Sequence, residues 1–457
     1  MGLEEYVMGD KKTTFGMSQE DKARLLAQFR GGAAPSPLAG RSLHHNVSPD
    51  LLRFDTLPSY TQIQVQKAVA QKLGIEQPYY ICHDDLSQDT ARIAGKTYLN
   101  FSCYDYLGLN GDSRLKEAAR AACERYGLSA SASRLTAGER PPHRALEKAL
   151  ASLYGTEDCL VFVSGHATNM STISCLFSSQ DAIFHDSASH NSLVLGAVLS
   201  GAARFSYPSN DLEALRSQLE KHRSSFKRAL IVTEGLFGMD GEISDIPGLV
   251  ALKREFGCFL MVDEAHSLGT VGKTGRGVCE HFGLAASDVD IWMGTLSKTL
   301  CGCGGYIAGS AALIDILKYQ APGFVYSVGM PPMLAATSLC ALQCMLSEPW
   351  RVAKLQENGQ KLLSLALAHG LDCGHAKGFA VIPIMLGDSL TVVLLSKLLK
   401  DEGVLALPII YPGVEEGRAR LRFFVSAAHA SEQIEEAVEK ISRLLPQARA
   451  KSRDFAG

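Results

Sequence analysis

An α/β fold built on a largely parallel sheet is the class this sequence predicts, and three observations predict it. Between Leu146 and Met293, short apolar runs alternate with helical stretches, the pattern of successive strand–helix units. The runs Cys159-Leu160-Val161-Phe162-Val163, Ala182-Ile183-Phe184-His185 and Phe259-Leu260-Met261-Val262 are nearly continuously apolar instead of alternating, as strands buried on both faces are. Polar or glycine-bearing segments follow these runs, and in open α/β sheets ligands sit beyond the carboxyl ends of the strands. At 457 residues the chain is too long for one simple core, so one large and one smaller domain are expected.

Taken in order, residues 1–50 read as an N-terminal extension and linker, 51–110 as an arm, 111–333 as the large domain and 334–457 as a small C-terminal domain. Met1 to Arg30 is polar and charged, without the apolar core of a secretion signal. Within it, Ser18 to Phe29 has the spacing of a short amphipathic helix, and the Gly/Ala/Pro-rich stretch Gly31 to Gly40 reads as a linker. Tyr60 to Leu73 has helical apolar spacing. Asn210-Asp211-Leu212-Glu213 predicts a helix start with Asn210 as its cap. From about Leu334 onward a helix, a strand and a final amphipathic helix ending near Leu445 are expected. Gly302-Cys303-Gly304-Gly305-Tyr306-Ile307 resembles a dinucleotide fingerprint. However, Ile307 occupies the third glycine position and a strand follows the turn, which excludes that reading.

Composition narrows the function. The hydrophobic fraction of 46% and charged fraction of 20% are those of an ordinary globular protein. A net charge of −3 without a long basic run gives no footprint for nucleic acid. No stretch has the length and apolarity of a membrane span. The twelve cysteines are scattered among apolar segments without metal-ligand spacing, and the thirteen histidines are dispersed. Free thiols in a reducing cytoplasm and no metal are therefore expected.

One lysine stands out. In Gly294-Thr295-Leu296-Ser297-Lys298-Thr299-Leu300-Cys301-Gly302-Cys303, Lys298 lies between an apolar run and a glycine-rich turn. Poor solvation lowers the pKa of such an amine, and the neutral form condenses with an aldehyde. Pyridoxal phosphate is the obvious aldehyde. Asp263 follows the Phe259–Val262 run, where a carboxylate can hold the proton of the pyridine nitrogen. Ser164-Gly165-His166-Ala167-Thr168-Asn169 would open a helix with free N–H groups suited to phosphate. His190 follows a further strand and could stack on the ring.

These stretches, with Asn100 to Leu109, Thr233 to Gly241 and Ala419-Arg420-Leu421-Arg422 followed by Ser426-Ala427-Ala428-His429, resemble the α-oxoamine synthase family of pyridoxal phosphate enzymes in order over about residues 98 to 440. The resemblance implies fold type I, the aspartate aminotransferase-like fold. That means a mainly parallel seven-stranded sheet in the large domain and a smaller α+β C-terminal domain. It further implies that Lys298 holds the cofactor covalently, Asp263 pairs with the ring nitrogen, His266 bonds the phenolic oxygen and His190 stacks. Thr295 and the amides of Gly165 and His166 would hold the phosphate, with Ser164, Glu234 and Ser297 in the same cofactor set. Ser327 would reach the phosphate from the other subunit, so that a homodimer completes the site. Arg422, Tyr104 and Asp105 would meet the amino acid, and Arg420, expected to face the other way, would be structural. Asp105 stands where many relatives have Asn, Gly238 where a serine is usual, and Val328 where a second hydroxyl is common.

The implied reaction is a decarboxylative Claisen condensation of a small amino acid with an acyl thioester, giving an α-amino ketone, CO2 and free thiol. A pyridoxal phosphate aminotransferase and a noncatalytic partner subunit are the alternatives. Residues 54 to 80 also resemble oxoamine synthase domains fused to polyketide synthases, which points to an acyl carrier protein as donor, with coenzyme A as the alternative; a packing arm of the dimer is the other reading of this stretch. Residues 1–50 carry six Lys and Arg against six Asp and Glu, so a basic docking patch for an acidic carrier would have to come from the fold.

Overall fold

The computed structural model describes residues 49–456 except 73, 75–77, 412 and 416; the expected helix over Ser18 to Phe29 and the linker lie outside the described residues. The described residues up to Val69 fall in a unit of their own, in which two 3-10 turns lead into a helix, Pro58–Lys72, that crosses that boundary. Leu51, Leu52, Phe54, Tyr60 and Ile63 in it are exposed.

The rest of the chain is built on a seven-stranded sheet. Its strands are β3 (Asp158–Phe162), β4 (Ala182–Asp186), β5 (Ala203–Tyr207), β6 (Ala229–Glu234), β7 (Phe259–Asp263), β8 (Ile291–Thr295) and β9 (Gly305–Gly309), in the spatial order 3-9-8-7-6-4-5. Every neighbouring pair is parallel except those made by β9, which runs antiparallel between β3 and β8. Two small sheets flank it. In one, β1 (Thr90–Ile93) and β2 (Lys96–Asn100) are joined by β11 (Val404–Leu405) from the far end of the chain; the other is β10 (Val381–Gly387), β13 (Ala419–Phe424) and β12 (Leu407–Ile409).

The apolar runs are explained by burial on both faces. Along β3, Cys159 and Val161 join one core cluster while Leu160 and Phe162 join another, and the same alternation holds along β4, β6 and β7. The first cluster packs under Leu146 and Leu150 of the helix Pro141–Tyr154. The second packs under Ile173 of Gly165–Leu176, Leu193 and Ala197 of Asn191–Ser200, and Ile314 and Leu317 of Ala311–Gln320. Each Ile, Leu or Phe so buried contributes roughly 1.5–3 kcal/mol, which fixes the strands and leaves their carboxyl ends to carry the polar groups.

Three local expectations are corrected. The cap of the helix Leu212–His222 is Asp211, whose carboxylate accepts from the Ala214 N–H at 2.9 Å. Asn210 takes the left-handed turn before it, φ 58°, a conformation Asn tolerates well, and its amide side chain donates to the Ile243 carbonyl instead. The final helix, Ser431–Ala456, does not stop near Leu445 but continues through Pro446. Burial of Ala448 and a bond from the Ser452 hydroxyl to Asp388 hold that last stretch. Finally, Arg420 shares a face with Arg422. Residues two apart on a strand point the same way, and both guanidiniums reach the 238–240 loop, Arg420 bonding Asp240 and the Met239 carbonyl.

No described helix is long and apolar enough to cross a membrane, and among the described residues no group of His, Cys, Asp or Glu is placed to hold a metal ion. All twelve cysteines are free thiols.

Candidate active site

The carboxyl ends of β3, β4, β6, β7 and β8 lie along one edge of the sheet, because these five strands run the same way. Register then brings the functional groups together. Glu234, the last residue of β6, pairs directly with Asp263, the last of β7. Both carboxylates are buried, and burial beside Asp263 pushes the Glu234 carboxyl above the ordinary range. Glu234 accepts from the His190 N–H at 2.6 Å and the Gly238 N–H at 3.3 Å, which ties β6 to the two loops around it.

Lys298 sits in the turn between β8 and β9, closed by Leu296 N–H to Gly304 O at 2.9 Å and Cys301 N–H to Lys298 O at 3.0 Å. Its amine is 2.7 Å from His266 Nε2 and 5.7 Å from the centre of the Tyr104 ring. Loss of solvent is the largest influence on it and outweighs the attraction of Asp263 and Glu234, lowering its pKa to about 8. His266 is held on its other side by the Tyr106 hydroxyl, 2.8 Å from Nδ1. Desolvation, with the charges of Lys298 and Arg422, keeps its pKa well below the usual imidazole value.

Asp263 is oriented by two donors, the Ala265 N–H and Asn169 Nδ2, each at 2.9 Å. Asn169 also donates to the Ser192 hydroxyl at 2.9 Å, and Ser192 lies 2.7 Å from His190 Nδ1. A buried polar chain thus runs from the β7 carboxylate to the histidine after β4. The His166 and His190 rings meet edge to face at 6.2 Å. Ser164 caps the helix Gly165–Leu176, its hydroxyl accepting from Ala167 N–H at 3.4 Å, and leaves the first-turn amides of Gly165 and His166 without intrahelical acceptors. Thr295 faces them: a Cβ on Gly165 would stand 2.9 Å from its Oγ1. Ser297 is exposed beside Thr295.

Arg422, half-buried on β13, donates to the Gly238 carbonyl at 2.9 Å and lies over the Phe424 ring at 4.5 Å. Tyr104 packs edge-on against Phe424 at 5.0 Å. Asp105 is engaged with its own loop. Its buried carboxylate accepts from Gln88 Nε2 at 3.0 Å, Leu109 N–H at 2.8 Å and Asn110 N–H at 3.2 Å, so it clamps its own loop. Ser327 lies apart from this cluster's hydrogen bonds, between the exposed Tyr326 and Val328. Tyr106, Asn169 and Ser192 had no role assigned from sequence. The signal for Tyr106 was a tyrosine in an apolar motif, since a buried phenol must find a partner.

A lysine, two carboxylates and two histidines at the strand ends of this sheet, with a smaller flanking sheet supplying an arginine, define a fold type I enzyme. The aminotransferase class I and II family profile matches residues 96–441. A putative 8-amino-7-oxononanoate synthase of Nostoc punctiforme is 40% identical over 78% of this chain and 90% of its own length. A serine palmitoyltransferase of Sphingobacterium spiritivorum is 38% identical over 80% of this chain and 91% of its own. Among solved structures, a serine palmitoyltransferase of S. paucimobilis with PLP and myriocin bound aligns with a TM-score of 0.82 at 25% identity, covering 86% of this chain and 98% of that one. The chain belongs to the aminotransferase class I and II family, in its α-oxoamine synthase branch.

Proposed function

We propose that the chain is a pyridoxal-phosphate-dependent acyltransferase that condenses a small amino acid with an acyl thioester, releasing CO2 and free thiol and giving an α-amino ketone. The observation that carries the reading is the Lys298 amine, lowered to about 8 and placed at the strand edge beside His266, Asp263 and Glu234 in a chain of this family.

The residues present fit the cofactor. Gly165 keeps clear the space between the first-turn amides and the Thr295 hydroxyl, a donor set suited to phosphate. Asp263, fixed by Asn169 and Ala265, would pair with the ring nitrogen, His266 would donate to the phenolic oxygen, and Lys298 would take the aldehyde. When bound, pyridoxal phosphate supplies an electron sink for the carbanion at the amino acid Cα. The Lys298 amine, neutral in a large share of molecules near pH 8, can then accept the Cα proton. Arg422, whose guanidinium is planar and permanently charged, grips the amino acid carboxylate and orients the Cα–H bond.

The finer reading is of a cytoplasmic homodimer in which Ser327 serves the neighbouring site. The exposed Tyr326 and Val328 beside it, which a second subunit would cover, and the twelve free thiols support it. The Gly/Ala/Pro-rich stretch 31–40 and the resemblance of residues 54–80 to polyketide-fused domains favour a carrier-bound acyl donor over coenzyme A.

The test is to supply protein and cofactor with a panel of amino acids and one acyl chain on each carrier. Equal release of CO2 and thiol with amino ketone is the expected result. Keto acid without CO2 would make the protein an aminotransferase, and no turnover with any pair would make it a noncatalytic subunit.

A further inference from the structure

We infer that Tyr106 is a positioning residue that fixes His266 as the tautomer protonated on Nε2, so that the imidazole presents an N–H toward Lys298 and the cofactor. The functional half of this inference rests on the reading above; the tautomer itself rests on the geometry and burial around the ring.

Tyr106 is fully buried, and His266 Nδ1, at 2.8 Å, is the partner of its hydroxyl among the described residues. Burial holds the phenol pKa well above its usual value, so the hydroxyl keeps its proton. A buried O–H left without an acceptor is destabilising. The proton is therefore directed at Nδ1, which must offer a lone pair. The ring is neutral for the reasons given above, and a neutral imidazole with a bare Nδ1 carries its proton on Nε2.

The surroundings agree with that assignment. Nε2 faces the Lys298 amine at 2.7 Å, and above about pH 8, where that amine has lost its proton, it can accept an N–H. The Phe424 ring lies nearly parallel to the imidazole, 10° between planes at 6.2 Å, and Tyr106 confines it from a tilted position at 6.3 Å. Gly238 supplies the space for the Nε2 edge, since a Cβ there would collide with Nε2 and stand 2.5 Å from Cδ2. A serine at this position could not coexist with the ring where it stands, so glycine and ring position belong together in this chain. An N–H at Nε2 would donate to a phenolic oxygen of the cofactor. The opposite tautomer would set a lone pair against it.

The experiment uses the full chain without cofactor, labelled with 15N in its histidines, and the His266 signals are assigned by their loss in His266→Gln. Nitrogen shifts separate protonated from bare ring positions. The expected wild-type spectrum, recorded above about pH 8 so that the Lys298 amine is neutral, shows Nε2 protonated and Nδ1 bare. In Tyr106→Phe the two shifts should move toward each other as the tautomers mix, and cofactor affinity should fall about tenfold, the equivalent of one lost hydrogen bond. A wild-type His266 protonated on Nδ1 overturns the inference without any variant, as do unmoved shifts in Tyr106→Phe. A wild-type ring protonated on Nε2 in a protein that shows no condensation would leave the tautomer standing and remove the proposed function instead.

Discussion

Replacing Asn169 by alanine tests whether Asp263 is held as described. Asn169 is 1% exposed and its Nδ2 serves both Asp263 and Ser192 at 2.9 Å. The bond to the buried carboxylate is charge-assisted and contributes about 2 kcal/mol, and the neutral bond to Ser192 about 1 kcal/mol. Against this, Asn169 Oδ1 is buried without a partner among the described residues, and its removal recovers about 1 kcal/mol. The net loss is about 2 kcal/mol, roughly thirtyfold in the unfolding equilibrium. Urea unfolding of cofactor-free protein, followed by two probes that must coincide, measures it. Repeating the substitution in an Asp263→Ala background isolates the carboxylate's share: the loss should shrink by at least about 1 kcal/mol, the coupling expected of two groups in direct contact. The same loss in both backgrounds would show that Asn169 does not hold Asp263.

Other expectations follow from the same geometry. Lys298→Ala should fold with an unchanged far-ultraviolet spectrum yet show neither turnover nor the visible band of lysine-bound cofactor; retained turnover would overturn the assignment of the lysine. Cofactor uptake by the empty protein should speed up as pH rises and level off above about 8. The reacting form is the neutral amine, which accumulates as pH passes the lowered Lys298 value, and a midpoint near that of an exposed lysine would contradict the desolvation argument. Arg422→Lys should raise the amino acid KM about ten- to a hundredfold with a smaller change in kcat, because a point charge replaces a two-pronged donor; an unchanged KM would move the carboxylate grip elsewhere.

Much of the sheet was legible because burial on both faces leaves an unmistakable apolar run, as at Phe259–Val262 ahead of Asp263. Neighbour order was not. Periodicity reports which faces are covered, not which strand lies alongside, so the insertion of the antiparallel β9 between β3 and β8 leaves no trace in either strand's residues. The site divides the same way. Lys298, Asp263, His190 and His266 could be picked out by their positions after apolar runs. Tyr106 and Asn169 could not be assigned roles, since their partners are 160 and 94 residues away in the chain. The bonds that Gln88, Leu109 and Asn110 donate to the Asp105 carboxylate were not foreseen either, because a carboxylate's partners depend on which donors the fold brings to it. For Arg420 the two-residue spacing from Arg422 held the answer, a shared strand face.

The turn that carries Lys298 is a hairpin clamped between two central strands, β8 and β9, paired from Ile291↔Gly309 to Thr295↔Gly305. Its backbone is anchored at both ends to strands buried in the core, so travel of the amine comes from rotations of its own four-carbon stem. Such a stem can swing aside without the main chain following, and it returns to the same place by default. An amine tethered in this way has its reach set by side-chain length instead of loop motion.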